Sequence, residues 1–178
     1  ALDVINSQII PALDVVGQEF EQGKIFLPQL IQTASVAQAA FEVIKTTLIE
    51  RNAAPVSRGE IVLATVKGDI HDIGKNIVRV LLENYGYTVL DLGRDVPCQL
   101  VADTAKEHGV KLVGLSALMT TTLGAMEETI QLVKQSCPDC KIVVGGAVLT
   151  ADYAEKIGAD FYAKDAMETV AVAKEVVG

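Results

Sequence analysis

The sequence has no tryptophan, two histidines and three cysteines, and aromatic residues make up only 4% of its 178 residues. It also has little positive charge: 15 lysines and arginines against 23 aspartates and glutamates give a formal net charge of −8. This acidity argues against a nucleic-acid-binding surface and against binding to an anionic membrane. An odd, small number of cysteines cannot form a disulfide framework, which predicts a reducing, cytoplasmic location.

Long apolar runs and targeting segments are also missing. No apolar run approaches the roughly 20 residues that a membrane-spanning helix needs. Residues 1–10, ALDVINSQII, lack the basic start and apolar block of a signal peptide. CPDC, residues 137–140, has no second ligand pair for a zinc site, and it follows a helical pattern rather than a strand. We therefore interpret CPDC as a loop between a helix and a strand.

The first part of the chain has the period of α-helices. Apolar residues recur every three or four positions over residues 2–20 and again over residues 30–48, which predicts two amphipathic helices. Pro11 should kink or split the first helix, Gly23 should end it, and Pro28 fits the first turn of the second. Two helices cannot bury both apolar faces alone, so they need further helices, a partner domain or a large apolar ligand.

After a stretch with the composition of a linker, residues 51–59, the period changes to alternating strands and helices. Runs rich in Val, Ile and Leu predict five strands, at residues 60–66, 87–92, 111–117, 141–147 and 159–163. The first helix between them carries Ile73, Ile77, Val80 and Leu81 on one face. Such alternation is typical of a parallel sheet covered on both faces. We predict a Rossmann-like, doubly wound α/β domain of flavodoxin-like order 2-1-3-4-5 at residues 58–178, behind a helical cap (a partial helix bundle) at residues 1–52.

Unusual residues cluster at the predicted carboxyl ends of three strands. They are Asp69 and His71 after strand one, Ser116 and Leu118 after strand three, and Gly145 and Gly146 in strand four. These strands are neighbours in the predicted order, and ligands of doubly wound sheets bind at this edge. A glycine pair there indicates either a close approach to the backbone, such as a flat ligand edge, or a loop that needs positive φ.

Asp69 and His71 have the arrangement of a metal ligand and its supporting carboxylate. A histidine that binds a metal through one ring nitrogen usually donates its other N–H to a carboxylate. One His and one Asp leave zinc short of ligands, but they suffice for a metal held in a tetrapyrrole. The alternative is that Asp69 caps the next helix and His71 faces solvent. His108, before Gly109 at a helix end, should simply be exposed near the helix dipole.

Three motifs resemble those of corrinoid-binding domains. GDIHDIGKNIV (68–78) resembles their DxHxxG motif, LSALMTTTL (115–123) their serine–any–leucine motif, and VVGGA (143–147) their double glycine. Upstream, IPALDVVGQEFEQGKIFLPQLIQTA (10–34) is similar to the helical cap of methyltransferase corrinoid proteins and of cobalamin-dependent methionine synthase. The resemblance covers nearly the whole chain. The cap in this family is usually a four-helix bundle, and the chain is expected to begin after its first part.

The resemblance implies a cobalamin or related corrinoid, with His71 as the lower axial ligand of its cobalt. Asp69 would tune His71, and Thr122, where methionine synthase has a serine, would retain the hydroxyl of a relay. Phe26 and Leu27 of the cap would cover the upper face. The nucleotide tail would enter the sheet, where side chains in place of the glycines would block it. The residues implied for the cofactor are Gly68, Asp69, His71, Asp72, Ile73, Gly74, Ser116, Leu118, Thr120, Gly145, Gly146, Phe26 and Leu27.

The resemblance also implies a methyl carrier, a non-catalytic corrinoid subunit of a multi-protein methyltransferase. Cobalt would take a methyl group from a substrate on a substrate-specific methyltransferase. It would pass the group to a second methyltransferase that uses a folate or a thiol, and a reductive activation protein is a further expected partner. The alternatives are the corrinoid subunit of an adenosylcobalamin mutase, against which FLPQ in the cap argues, and a corrinoid-binding sensor. A response regulator would need a phosphoacceptor aspartate where Ser116 stands.

Overall fold

The computed structural model describes residues 4–50 and 57–178, and its N-terminal part is helical. A π-helical turn at Ile5–Ile9 leads into α1, Ile10–Glu21, and α2 follows at Leu27–Glu50. Pro11 lies in the first turn of α1, so it separates the π-helical turn from the regular helix, as predicted. Gly23 adopts a φ of 69° just beyond α1, which confirms the predicted helix end.

The other described residues form a five-stranded parallel sheet with helices on both faces. Its strands are β1 Glu60–Thr65, β2 Thr88–Asp91, β3 Leu112–Ser116, β4 Lys141–Gly145 and β5 Phe161–Ala163. They pair in the order β2-β1-β3-β4-β5, which confirms the predicted doubly wound sheet. The helices are α3 Ile73–Asn84, α4 Cys98–His108, α5 Leu123–Ser136, α6 Ala151–Lys156 and α7 Ala166–Val176. Most of the predicted linker, residues 51–56, lies outside the described residues.

The sheet buries one hydrophobic core on each face. In β1, Val62 belongs to the core under α4 and α5, whereas the next-door Ile61 belongs to the core under α3 and α7. The second core also contains Leu13 of α1 and Leu30 of α2. The N-terminal helices therefore bury part of their apolar faces directly against the α/β part of the chain.

Helix α3 buries only part of its predicted apolar face. Leu81 is buried, and Ile77 and Val80 are partly buried, but Ile73 is 78% exposed. Ile73 is exposed because it starts the helix at the edge of the sheet, where it lines an open cavity. Lys75 is buried instead, and its ammonium group binds both carboxylate oxygens of Asp91 at 2.5 and 2.6 Å.

The remaining sequence features lie away from the carboxyl edge of the sheet. Cys137 directly follows α5, and the Cys140 N–H donates to its carbonyl at 3.0 Å, so CPDC is a helix-to-strand loop as predicted. His108 ends α4 with its side chain 38% exposed, and Nδ1 lies 3.0 Å from Oε2 of Glu60. Within residues 4–50 and 57–178, no helix is long and apolar enough to cross a membrane.

Candidate functional site at the carboxyl edge of the sheet

Asp69 joins the loop after β1 to the loop after β3. Its side chain is completely buried. Oδ1 accepts the backbone N–H of His71 at 3.0 Å and lies 2.8 Å from the ring Nδ1 of His71. Oδ2 accepts the backbone N–H of Leu118 at 2.7 Å, that of Met119 at 3.2 Å, and the hydroxyl of Thr122 at 3.2 Å. Hydrogen-bond donors therefore surround both carboxylate oxygens.

These donors keep Asp69 ionised. Burial by itself would raise the pKa of Asp69, but hydrogen bonds from His71, Leu118 and Met119 outweigh it and lower the pKa to about 2. An anionic oxygen beside Nδ1 favours the histidine tautomer that carries its proton there. Nε2 then keeps a free lone pair on a side chain that is 47% exposed, so His71 is set up to bind a metal.

The loop after β2 supports the backbone that carries Asp69. Oδ1 of Asp95 accepts the N–H of Gly68 at 2.7 Å, and the N–H of Asp95 donates to the carbonyl of Asp69 at 2.9 Å. Among the described residues, Asp95 is the only non-glycine with positive φ, at 53°. The sequence did not point to Asp95, although aspartate tolerates this conformation better than most residues, and such strain is often found near functional sites.

A cavity of about 890 Å³ lies beside His71. One wall comes from the N-terminal helices, which contribute Phe20, Leu27 and Leu30, and the opposite wall comes from the ends of β3, β4 and β5. Next to His71 the lining includes three exposed apolar side chains, those of Ile70, Ile73 and Leu118. Exposed apolar groups around a single imidazole are suited to a large ligand with apolar faces.

The glycine pair is required first by the protein's own backbone. A Cβ on Gly146, which has a φ of 135°, would lie 1.9 Å from the carbonyl oxygen of Ala117. A Cβ on Gly145 would lie 3.0 Å from the carbonyl oxygen of Ala163. Close backbone approach and positive φ, the two interpretations of the sequence, thus both apply at Gly146. Both glycines also line the cavity, so the wall there is bare backbone.

The structure brings most of the residues implied by the resemblance to this cavity. Its lining includes Leu27, His71, Asp72, Ile73, Gly74, Ser116, Leu118, Gly145 and Gly146. Asp69 and Thr122 lie behind His71 as buried partners. Gly68, Thr120 and Phe26 are not part of the lining. Phe26 is 72% exposed and does not line the cavity. Phe20 and Leu30, which belong to the predicted apolar faces of the two N-terminal helices, line it instead.

Comparisons with known proteins agree with this geometry. Residues 59–171 match a family model described as a B12 binding domain, and residues 1–45 match a second model with the same description. The chain is 42% identical to dimethylamine corrinoid protein 1 of Methanosarcina acetivorans over 177 residues. That match covers 98% of this chain and 83% of the relative.

Two solved structures share the whole architecture. A cobalamin-binding protein from Desulfitobacterium hafniense has a TM-score of 0.82 and 34% identity, over 99% of this chain and 84% of that chain. The methanol:cobalamin methyltransferase complex of Methanosarcina barkeri has a TM-score of 0.83 and 31% identity, over 98% of this chain and 67% of that chain. Family models, relatives and fold thus lead to one conclusion: the chain belongs to the B12-binding corrinoid proteins of methyltransferase systems.

Proposed function

We propose that the chain binds a cobalamin or related corrinoid and carries methyl groups between partner enzymes. The observation that carries this proposal is the Asp69–His71 pair, because the carboxylate holds Nδ1 at 2.8 Å and leaves Nε2 free. Within the described part of the chain, no group of three or more His, Cys, Asp or Glu side chains could hold a metal ion. A metal bound to His71 must therefore bring its other ligands, as cobalt in a corrinoid does.

The cavity fits such a cofactor in size and character. Its volume of about 890 Å³ is near the upper end of the roughly 300–1,000 Å³ of small-molecule sites. The apolar side chains of Ile70, Ile73 and Leu118 can cover the face of a macrocycle beside His71. In the same cavity, the bare backbone at Gly145 and Gly146 leaves room for a narrow extension such as a nucleotide tail.

When bound, the corrinoid supplies a cobalt centre that accepts a methyl group from a donor and gives it to an acceptor. His71 would hold the cobalt through Nε2, with Asp69 fixing the tautomer and orientation of the imidazole. Thr122 connects Asp69 to the start of α5, because its hydroxyl lies 3.2 Å from Oδ2 and 2.8 Å from the carbonyl of Met119. A proton that enters this network changes the charge beside His71 and so its strength as a ligand.

The N-terminal helices would shield the upper side of the cofactor until a partner docks. Phe20, Leu27 and Leu30 of these helices line the cavity. Residues 1–52 would therefore act as a unit that moves relative to residues 58–178. The partners would be a substrate-specific methyltransferase, a second methyltransferase with a folate or thiol acceptor, and a reductive activation protein. The similar proteins are named for different methyl donors, dimethylamine and methanol, and we expect the partner enzyme to select the donor.

Reconstitution with hydroxocobalamin tests the proposal. Wild-type protein should retain the corrinoid through gel filtration, and its visible spectrum should show an axial imidazole. His71→Ala should lose that ligand, whereas His108→Ala, which removes the chain's other histidine, should behave as wild type. Electron paramagnetic resonance of the cobalt(II) form, with ¹⁵N-labelled histidine, should resolve one coupled nitrogen that only His71→Ala abolishes. Failure of the wild type to retain any corrinoid would overturn the proposal.

A further inference from the structure

The loop between β2 and α4 forms an arch that is fixed to the end of β1. The N–H of Thr65 donates to the carbonyl of Gly93 at 2.9 Å, and the N–H of Val96 donates to the carbonyl of Thr65 at 3.1 Å. Both ends of the arch are therefore paired with the strand that leads into the candidate metal ligand. Asp95 lies within this arch.

Asp95 clamps the backbone on both sides of the peptide group that joins Gly68 to Asp69. Its Oδ1 accepts the N–H of Gly68 at 2.7 Å, and its own N–H donates to the carbonyl of Asp69 at 2.9 Å. Asp95 has a φ of 53°, a left-handed conformation that only glycine adopts freely. A disfavoured conformation of this kind is kept where the surrounding structure fixes a functional segment.

The clamp bears on His71 because Asp69 orients the imidazole. Oδ1 of Asp69 contacts both the backbone N–H and the ring Nδ1 of His71, so a shift of the Asp69 backbone would move both residues. The loop after β3 binds Asp69 through its side chain, whereas Asp95 binds the backbone. Without the clamp, the segment would gain freedom whenever His71 is not bound to a metal. Metal binding would have to order it again, which weakens the bond.

We infer that Asp95 is a positioning residue that strengthens the bond between His71 and the metal of the bound cofactor. The inference rests on the proposed function and adds a third loop to the two that hold Asp69. Asp95 does not line the cavity, so it acts through the backbone and not by touching the cofactor.

Three substitutions separate the parts of the clamp. Asp95→Gly keeps the positive φ and removes the acceptor of the Gly68 N–H. Asp95→Ala removes the acceptor and disfavours that φ as well. Asp95→Asn keeps an oxygen acceptor and tolerates the same φ, so it should behave as wild type. Asp139→Gly, which removes an exposed carboxylate from the loop before β4, is the matched control.

Each protein would be loaded with hydroxocobalamin, reduced to the cobalt(II) form and titrated from neutral to acid pH. Electron paramagnetic resonance follows the coupling of the His71 nitrogen to cobalt, which disappears when a proton displaces the metal. A weaker bond is displaced at higher pH. Asp95→Gly should raise the midpoint by about 0.7 pH unit, a roughly fivefold weakening that corresponds to ordering about one backbone residue, and Asp95→Ala should raise it at least as much.

Hydrogen exchange of the apo-protein gives a second measurement. The Gly68 amide should exchange faster in Asp95→Gly and Asp95→Ala than in wild type, Asp95→Asn and Asp139→Gly. Exchange at the wild-type rate in all variants would overturn the inference, because Gly68 would then not depend on the clamp.

The pH titration separates this inference from the proposed function. Unchanged midpoints in Asp95→Gly and Asp95→Ala would overturn the inference even if both variants unfolded at lower urea concentration, because the clamp would then serve stability alone. An equal rise in Asp95→Asn would overturn it too, since the charge and not the hydrogen bond would act. In both cases a wild type that retains corrinoid leaves the proposed function standing. A wild type that binds no corrinoid removes the proposed function, and the inference with it.

Discussion

Replacing Asp69 with asparagine would put a donor where the structure has only acceptors. Oδ1 of Asp69 faces the N–H of His71, and Oδ2 faces the N–H groups of Leu118 and Met119. The amide of asparagine can supply an oxygen on only one of these sides. Its NH₂ group therefore points at the backbone N–H of His71 in one orientation, and at two backbone N–H groups in the other. At least one N–H donor loses its acceptor in either case.

The expected loss of stability in Asp69→Asn follows from these contacts. Each buried donor left unsatisfied costs about 1–3 kcal/mol, and the rotated amide also opposes a donor, so we expect Asp69→Asn to lower the free energy of unfolding by about 3 kcal/mol at pH 7. Folding lowers the pKa of Asp69 from 3.8 to about 2. At about 1.4 kcal/mol per pKa unit, the ionised carboxylate contributes about 2 kcal/mol above pH 3.8, and this contribution is lost as the pH falls toward 2. Asparagine does not titrate, so the deficit should shrink by that amount in acid.

Urea unfolding of apo-protein, followed by far-UV circular dichroism, measures both effects. The comparison of wild type and Asp69→Asn at pH 7 and at about pH 2.5 cancels the titration of other carboxylates. Asp72→Asn is the matched control, because Asp72 is half-buried and makes no capping hydrogen bond, and it should change stability by less than about 0.5 kcal/mol. A deficit at pH 7 below about 1 kcal/mol, or one that is the same at both pH values, would refute the reasoning.

Two other regions allow sharp predictions. Gly146→Ala should lower the free energy of unfolding by about 3 kcal/mol, because its Cβ would meet the carbonyl oxygen of Ala117 at 1.9 Å. Gly124→Ala is the control: a Cβ on Gly124, which lies in α5, would have no other atom within 4 Å, so this change should raise the free energy of unfolding by up to about 1 kcal/mol. Equal effects of the two substitutions on urea unfolding would contradict this account. Iodoacetamide at about pH 8 should modify Cys137 well before Cys140, since burial raises the pKa of Cys140 to about 12, and mass spectrometry that found Cys140 modified first would exclude this.

The sheet could be predicted from sequence because its three central strands, β1, β3 and β4, are buried on both faces and read as continuous apolar runs. The predicted ends of the strands were less accurate than their positions in the chain. The run predicted for residues 141–147 stops pairing at Gly145, because Gly146 turns to a φ of 135° to pass the carbonyl of Ala117. The local sequence pattern does not predict this close approach, since Gly146 and Ala117 are far apart in sequence. A glycine pair shows that some backbone comes close, but not whose backbone it is.

The site, too, could be predicted only in part. The short spacing of Asp69 and His71 indicated their pairing, which the structure has at 2.8 Å. The second oxygen of Asp69 binds groups about 50 positions away, at Leu118 and Thr122, and only the assembled sheet brings them together. Lys75 was missed for a related reason. A lysine reads as an exposed residue until Asp91, at the end of the edge strand, is found to neutralise it.

The cavity has one fixed wall and one adjustable wall. At Gly145 and Gly146 the wall is backbone, held by bonds such as Ala117 N–H to the Gly145 carbonyl at 3.2 Å. Folding has already ordered these atoms, so a ligand need not order them on binding. The opposite wall consists of side chains of α1 and α2, which can change rotamer or move with their helices. A ligand would therefore be selected strictly by the part that enters the sheet and tolerantly by the part under the helices. Such a division suits a carrier protein, because the group carried on the helix side can change while the contacts that bind the ligand at the sheet stay the same.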